Sequence, residues 1–276
     1  MFRRVWAAAL PLLAAVLLPL TPRGAAAGDS VGILVLKEHG VGSPTLVQPY
    51  LDRFVAIAAQ LNDWPAAKGQ YHATRAAAEA YIAADKPHYG ILSLAAFLAF
   101  KPRYDMAVIG QVDVSLAGGR QYHLISKQAR DLAGCKGQTL ASDHIDDPRF
   151  IDRVVAGGQF TLKDFKLLQT QRPLQTIKKV TTGEAVCGLI DEAQLAELSH
   201  IEGIDGVHPV WKSALLPPMV VVAFASAPSD ERKTFQEHLD EICDGDAKGA
   251  CAEVGITALQ PADGGAYAAV LAAYGK

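Results

Sequence analysis

The chain has 276 residues, 50% of them hydrophobic and 20% charged, with a formal net charge of −3. That size and balance fit a globular protein of one large or two medium domains. No long basic run and no basic patch interleaved with aromatics is present, which excludes nucleic acid as a partner.

Residues 1–27 read as a targeting segment. Phe2-Arg3-Arg4 is a positive start, residues 5–20 are apolar and rich in Ala and Leu, and Ala25-Ala26-Ala27 is a small-residue cleavage site before Gly28-Asp29. This is the pattern of a secretory signal peptide. An uncleaved membrane anchor is the competing reading, because the apolar stretch approaches spanning length. Pro11, Pro19 and the Ala-rich ending favour cleavage. The mature chain is therefore expected in the periplasm without stable membrane insertion. Residues 215–225 are apolar but too short to span, and Pro217 and Pro218 interrupt them.

Along the mature chain, strand-like apolar runs alternate with amphipathic helices, which predicts an α/β protein with parallel sheets. Strands are expected at 31–36 (VGILVL), 71–73, 88–94 and 106–114, with helices over 46–61, 73–86 and 95–100. A Gly-rich loop, "KEHGVGSPT", follows the first strand. Gly118-Gly119 breaks the pattern, and a fresh α/β unit starts with a strand at 122–126. It continues through "QTLASD", a helix over 148–157, strands at 165–170 and 186–192, and helices over 173–182 and 192–198. A long strand at 213–226, a helix over 230–242 and a last helix over 266–273 complete the chain. One α/β lobe, 119–211, is thus inserted into another made of 28–118 and 212–276. Two crossings between lobes leave a central cleft beside a double hinge, and such clefts close around ligands.

The four cysteines, Cys135, Cys187, Cys243 and Cys251, are even in number and face an oxidising compartment. Three pairings are possible. The short interval between Cys243 and Cys251 favours a local pair, which leaves Cys135 with Cys187, each just ahead of a predicted strand. A Cys/His metal site competes but lacks CxxC or HxxxH spacing. No GxSxG elbow, ordered Ser/His/Asp set or HExxH motif is present, and Glu184 with Glu192 has no supporting spacing as an acid pair. The chain is therefore not expected to be an enzyme, and no cofactor is expected.

Three stretches in order, "DLAGCKGQTLASDHIDDPRF", "TIKKVTTGEAVCGLIDEAQLAEL" and "VGITALQPADGGAYAAV", resemble the periplasmic substrate-binding proteins of phosphonate- and phosphate-type ABC importers. The resemblance covers nearly all of the mature chain and implies a type 2 periplasmic-binding fold, a small cleft-bound molecule and a partner permease. Carried onto this sequence, the family's ligand loops fall at Ser43 and Thr45 after the first strand, at Ser93, at Ser142, Asp143 and His144, at Asp191, and at Ser213 in the returning hinge. The family's anion loop is Ser/Thr-rich, whereas here it reads "SDHIDD". A sensor's ligand-binding module or an accessory protein of a periplasmic redox system is the alternative to transport.

Each candidate has a plainer reading. Asp143, Asp146 and Asp147 fit the start of a helix, where carboxylates satisfy free N–H groups and complement the dipole. Three carboxylates facing a cleft would instead repel a phosphonate and favour an amine or a metal. His39, His144 and Asp146 are the weak metal candidates, against the commoner solvent-exposed histidine. "GVGSPT" is a helix start with Ser43 as cap and Pro44 at the first position, and it lacks phosphate-loop spacing. Asp191 fits an N-cap. Lys163, Lys166, Lys178 and Lys179 fit solvated faces. Tyr89, Tyr122 and Trp211 lie where a cleft could be lined, although aromatics more often sit in a core.

Overall fold

The computed structural model describes residues 30–39, 44–115, 118–245, 248–253 and 255–276. The expected signal peptide and Ser43 lie outside these residues. The chain begins β1 (Ser30–Leu36), α1 (Pro44–Leu61), β2 (Ala66–His72), α2 (Arg75–Asp85), β3 (Tyr89–Leu92), α3 (Leu94–Phe100) and β4 (Met106–Val114). A second unit follows: β5 (Tyr122–Ser126), α4 (Leu132–Cys135), β6 (Thr139–Ser142), α5 (Pro148–Phe150), β7 (Lys166–Gln169), α6 (Pro173–Thr181), β8 (Cys187–Asp191), α7 (Glu192–Ala196) and β9 (His208–Lys212). The chain then returns through β10 (Met219–Phe224), α8 (Ser229–Glu237), α9 (Lys248–Glu253), β11 (Ile256–Pro261) and α10 (Ala268–Gly275).

The strands form two sheets, ordered β11-β4-β10-β3-β1-β2 and β7-β6-β8-β5-β9. Both are mixed rather than parallel as expected. In the first, β1 pairs parallel with β2 and β3, while β10 lies antiparallel between β3 and β4. In the second, β6 is parallel to β7 and β8, whereas β5 is antiparallel to β8 and β9. β5 and β10, which enter from and return to the other sheet, run against their neighbours, and β11 lies antiparallel to β4 at the edge. They lack the crossover helix that makes neighbours parallel.

The run "VGILVL" has no polar alternation because β1 is covered on both faces. Val31 and Ile33 pack with Leu51, Phe54 and Val55 of α1. Leu34 and Leu36 pack toward Phe97 of α3 and Tyr274 of α10. That second cluster continues into Leu124, Phe150 and Leu189, so one apolar core joins the two sheets. α10 reaches across and lies against the Ile151–Val155 turn of the second unit.

Several boundaries differ from expectation. The strand expected over 213–226 is confined to β10, because Pro217 and Pro218 supply no ladder N–H. The helix expected over 148–157 is α5 followed by a wide turn, Ile151–Val155, closed by Ala156 N–H donating to Ile151 O at 2.8 Å. The 230–242 helix ends at Glu237, followed by a short turn at Glu241–Cys243. β11 and α9 were not anticipated. Cys135 is bonded to Cys187, and Cys243 to Cys251, with Cα–Cα distances of 5.9 and 5.6 Å. The first joins the end of α4 to the start of β8, beside β6. Among the described residues no helix is long and apolar enough to cross a membrane.

Candidate functional site

The two crossings, β4 to β5 and β9 to β10, run side by side and are tied together. Ser213 N–H donates to Tyr122 O at 2.8 Å, Leu216 N–H donates to Arg120 O at 2.7 Å, and the Gln121 side chain donates to Ser213 O at 3.1 Å. Glu192 accepts from the backbone N–H groups of Arg120 and Gln121 at 2.9 and 2.8 Å, fixing where β5 begins. Between these crossings and the strand ends lies a cavity of about 50 Å³. Lys37, Glu38, His39 and Ser93 line it from the first unit, and Tyr122, His144 and Asp191 from the second.

His144, with its side chain 3% exposed, is part of the cavity wall. The ring of His39 lies edge-on at 4.6 Å on one side, and that of Tyr122 at 5.2 Å on the other. Its Nε2 is buried without a hydrogen-bond partner. The nearest carboxylate oxygens, Asp191 Oδ2 at 3.9 Å and Asp143 Oδ1 at 4.0 Å, are beyond hydrogen-bond reach.

Asp191 caps α7, its Oδ1 accepting from Gln194 N–H at 2.9 Å while Gln194 Oε1 accepts from Asp191 N–H. Its Oδ2 faces Gly118, where a Cβ would sit 2.0 Å away and the backbone has φ +71°. Only glycine fits both constraints. Burial pushes the Asp191 carboxyl above its ordinary value, against the pull of His144 and the Gln194 N–H. Burial likewise holds the Tyr122 hydroxyl well up, reinforced by Asp191, Glu192, Glu38 and Asp143, so it stays protonated. Burial lowers the Lys37 ammonium, and Asp191 offsets part of that.

Of the sequence-derived candidates, Ser93, His144 and Asp191, with the weak metal candidate His39, line the cavity; the other described ones lie elsewhere. Thr45 is exposed in the first turn of α1. Ser142 is buried, donating to Leu189 O at 2.7 Å and accepting from His144 N–H at 3.0 Å. Ser213 accepts from Tyr122 N–H at 3.0 Å and donates to Ala214 O. Asp143 accepts from Thr176 Oγ1 at 3.1 Å and Gln194 Nε2 at 3.3 Å. Asp147 caps α5 and pairs with Arg75 at 2.7 Å, and Asp146 lies 3.5 Å from His39 Nε2. None of these three carboxylates lines the cavity. Among the described residues no group of three His, Cys, Asp or Glu side chains is placed to hold a metal ion. Of the three aromatics considered, only Tyr122 lines the cavity. Tyr89 stacks on Trp64, and Trp211 packs edge-on against Phe160. Lys37, Glu38 and Arg120 are charged lining residues that motif reasoning missed, and Tyr122 is one it weighed against a place in the core. Lys37 carried one signal: it extends the alternation of Val31, Ile33 and Val35 to the strand end.

This architecture is the type 2 periplasmic-binding fold. XAC2383 from Xanthomonas citri, solved with bound chloride, superposes with a TM-score of 0.69 at 12% identity, covering 90% of this chain and 97% of that one. The binding component of a phosphonate ABC transporter from Pseudomonas aeruginosa gives a TM-score of 0.62 at 15% identity, covering 86% and 83%. PhnD1 from Prochlorococcus marinus, solved with methylphosphonate, gives 0.62 at 10% identity, covering 88% and 96%. No protein-family model and no curated protein matches the sequence.

Proposed function

We propose that the chain is a periplasmic solute-binding protein, related to the phosphonate-type proteins, that encloses a small polar ligand and presents it to the permease of an ABC importer. Its lobes are 28–118 with 212–276, and 119–211, and the paired crossings are the hinge. The observation that carries this reading is the cavity at the crossings, lined from both units, with His144, whose buried Nε2 has no hydrogen-bond partner, in its wall. The acidic loop is less of an obstacle to an anion than its composition suggests. Asp146 and Asp147 face His39 and Arg75, Asp143 is hydrogen-bonded inside the second unit, and Lys37 places an ammonium on the cavity wall. Glu38 and Asp191 also line the cavity, but Glu38 is paired with Arg75 and Asp191 gives one oxygen to the cap of α7, so a compact acid head is favoured over an amine or a metal ion.

A thermal-shift screen of residues 28–276 against methylphosphonate, phosphate, sulfonates, carboxylates, amines, amino acids and divalent metals tests this. A ligand at 100 times its dissociation constant adds about 2.7 kcal/mol, an easily visible shift. Shifts confined to acids, with a smaller radius of gyration in scattering, are expected. Stabilisation by amines or metals alone overturns the ligand class. A ligand that stabilises without compacting the protein overturns the closure.

A further inference from the structure

A second, larger cavity of about 330 Å³ opens between α1 and the first sheet. It is walled by Val47, Leu51 and Phe54 of α1, by Tyr71 and Ile91 of the sheet, and by Ile256 of β11. Its size lies in the range of small-molecule sites, about 300–1,000 Å³. The cleft cavity, at about 50 Å³, lies well below that range. The two share a wall, since Lys37, Val112, Val114 and Met219 line both. Two charged side chains border the larger cavity. Glu253 is paired with Arg53, whereas Lys37 has no hydrogen bond or ion pair through its ammonium among the described residues.

We propose that the two cavities form one bipartite site for a small amphipathic acid, with its head in the cleft beside Lys37 and its aliphatic tail beneath α1. The inference rests on the reading of the cleft as a ligand site and adds the class of ligand. The head needs a positive group and donors. Lys37 and the Tyr122 hydroxyl supply them within a space too small for more than the head itself. The tail needs a dry, apolar slot. Tyr71, Ile91, Leu51 and Phe54 provide it, and they are buried within the same cluster that carries the shared wall. Lys37 marks the junction between the polar and apolar parts.

The experiment is titration of residues 28–276 with straight-chain carboxylic acids from acetate to decanoate, and with alcohols of equal length, below micellar concentrations. Affinity for the acids is expected to rise about fourfold per added methylene, the factor given by ~0.8 kcal/mol per buried CH2, and then to plateau when the slot is full. Val47→Phe, which narrows the slot, moves the plateau to shorter acids. Lys37→Met removes the preference for acid over alcohol. Affinity independent of chain length overturns the inference, and so does a plateau that Val47→Phe does not move, since that marks surface adsorption. Equal binding of acids and alcohols by the unmodified protein overturns the assignment of Lys37. Methylphosphonate has no tail to place. If it binds while the series shows no length dependence, the inference fails and the solute-binding reading stands. If neither methylphosphonate nor any acid binds, the inference fails together with the acid ligand class of the solute-binding reading.

Discussion

Asp191 holds an N-cap with one oxygen and borders the cavity with the other, and the two tasks can be separated by substitution. Its folded pKa is raised above the ordinary 3.8, mainly by burial. A raised carboxyl favours the folded state most below the unfolded pKa and loses that contribution as pH rises through the folded pKa. At neutral pH the charged, buried carboxylate is therefore a cost. Asn caps as well as Asp. Asp191→Asn is expected to raise the melting temperature at neutral pH, with the gain shrinking as pH falls toward the ordinary Asp value, in thermal melts across pH. Asp191→Ala also loses the cap and should cost about 0.5–2 kcal/mol relative to Asn. The sequence pointed to Asp191, His144 and Ser93 because each follows a strand that enters a helix or loop. It pointed equally to Ser142, Asp143 and Ser213, whose oxygens are spent on backbone or core partners. Sequence spacing places a polar residue at a strand end; which way its oxygen turns depends on strands contributed from elsewhere in the chain, such as the Leu189 carbonyl that takes the Ser142 hydroxyl.

Among elements, the two disulfides divide the work unequally. Cys135–Cys187 closes a loop of 52 residues and ties α4 to β8, while Cys243–Cys251 spans 8 and pins a local turn. Constraint of the unfolded chain scales with loop length, giving about 4 kcal/mol for the longer loop and about 2.5 kcal/mol for the shorter. The double replacement Cys135→Ser with Cys187→Ser should therefore lower the urea midpoint more than Cys243→Ser with Cys251→Ser. The opposite ranking would show that native contacts rather than loop closure dominate. β1, β4, β5 and α6 were legible because apolar period and flanking turns agree. β11, "ITALQP", was not: it is a short edge strand with little alternation, and it owes its place to pairing with β4. The mixed sheets were illegible for the same reason, since strand direction is decided by which distant neighbour a strand meets.

For the whole molecule, what holds the two units together is ionic at the cleft rim and apolar beneath it. Arg75 of α2 lies 2.6 Å from Glu38 and 2.7 Å from Asp147, and the Tyr274 hydroxyl donates to the same Asp147 at 3.3 Å. These side chains are largely buried, so removing the cation strands two carboxylates, a loss of about 3–5 kcal/mol. Arg75→Met is expected to increase the radius of gyration in scattering and to weaken ligand binding, with the loss falling on the closed form. A second cross-unit contact, His39 to Asp146, adds pH dependence. Burial works to lower the His39 pKa, but its interaction with Asp146 and the charges of Asp146, Glu38 and Asp143 outweigh that and raise it above 6.5. Arg75 and the ring of His144 are the other ionisable groups near this pair. A raised histidine contributes fully below its unfolded pKa and loses the contribution as pH rises through the folded one. Asp146 is 47% exposed, so screening limits the pair to about 0.2–1 kcal/mol. The closed form should therefore be modestly favoured at about pH 6 over about pH 8.5, and His39→Gln should flatten that difference. Scattering at the two pH values, with and without the substitution, reads both effects. An identical pH response in the His39→Gln protein would place the sensitivity in another group and leave Arg75 as the principal ionic link between the units.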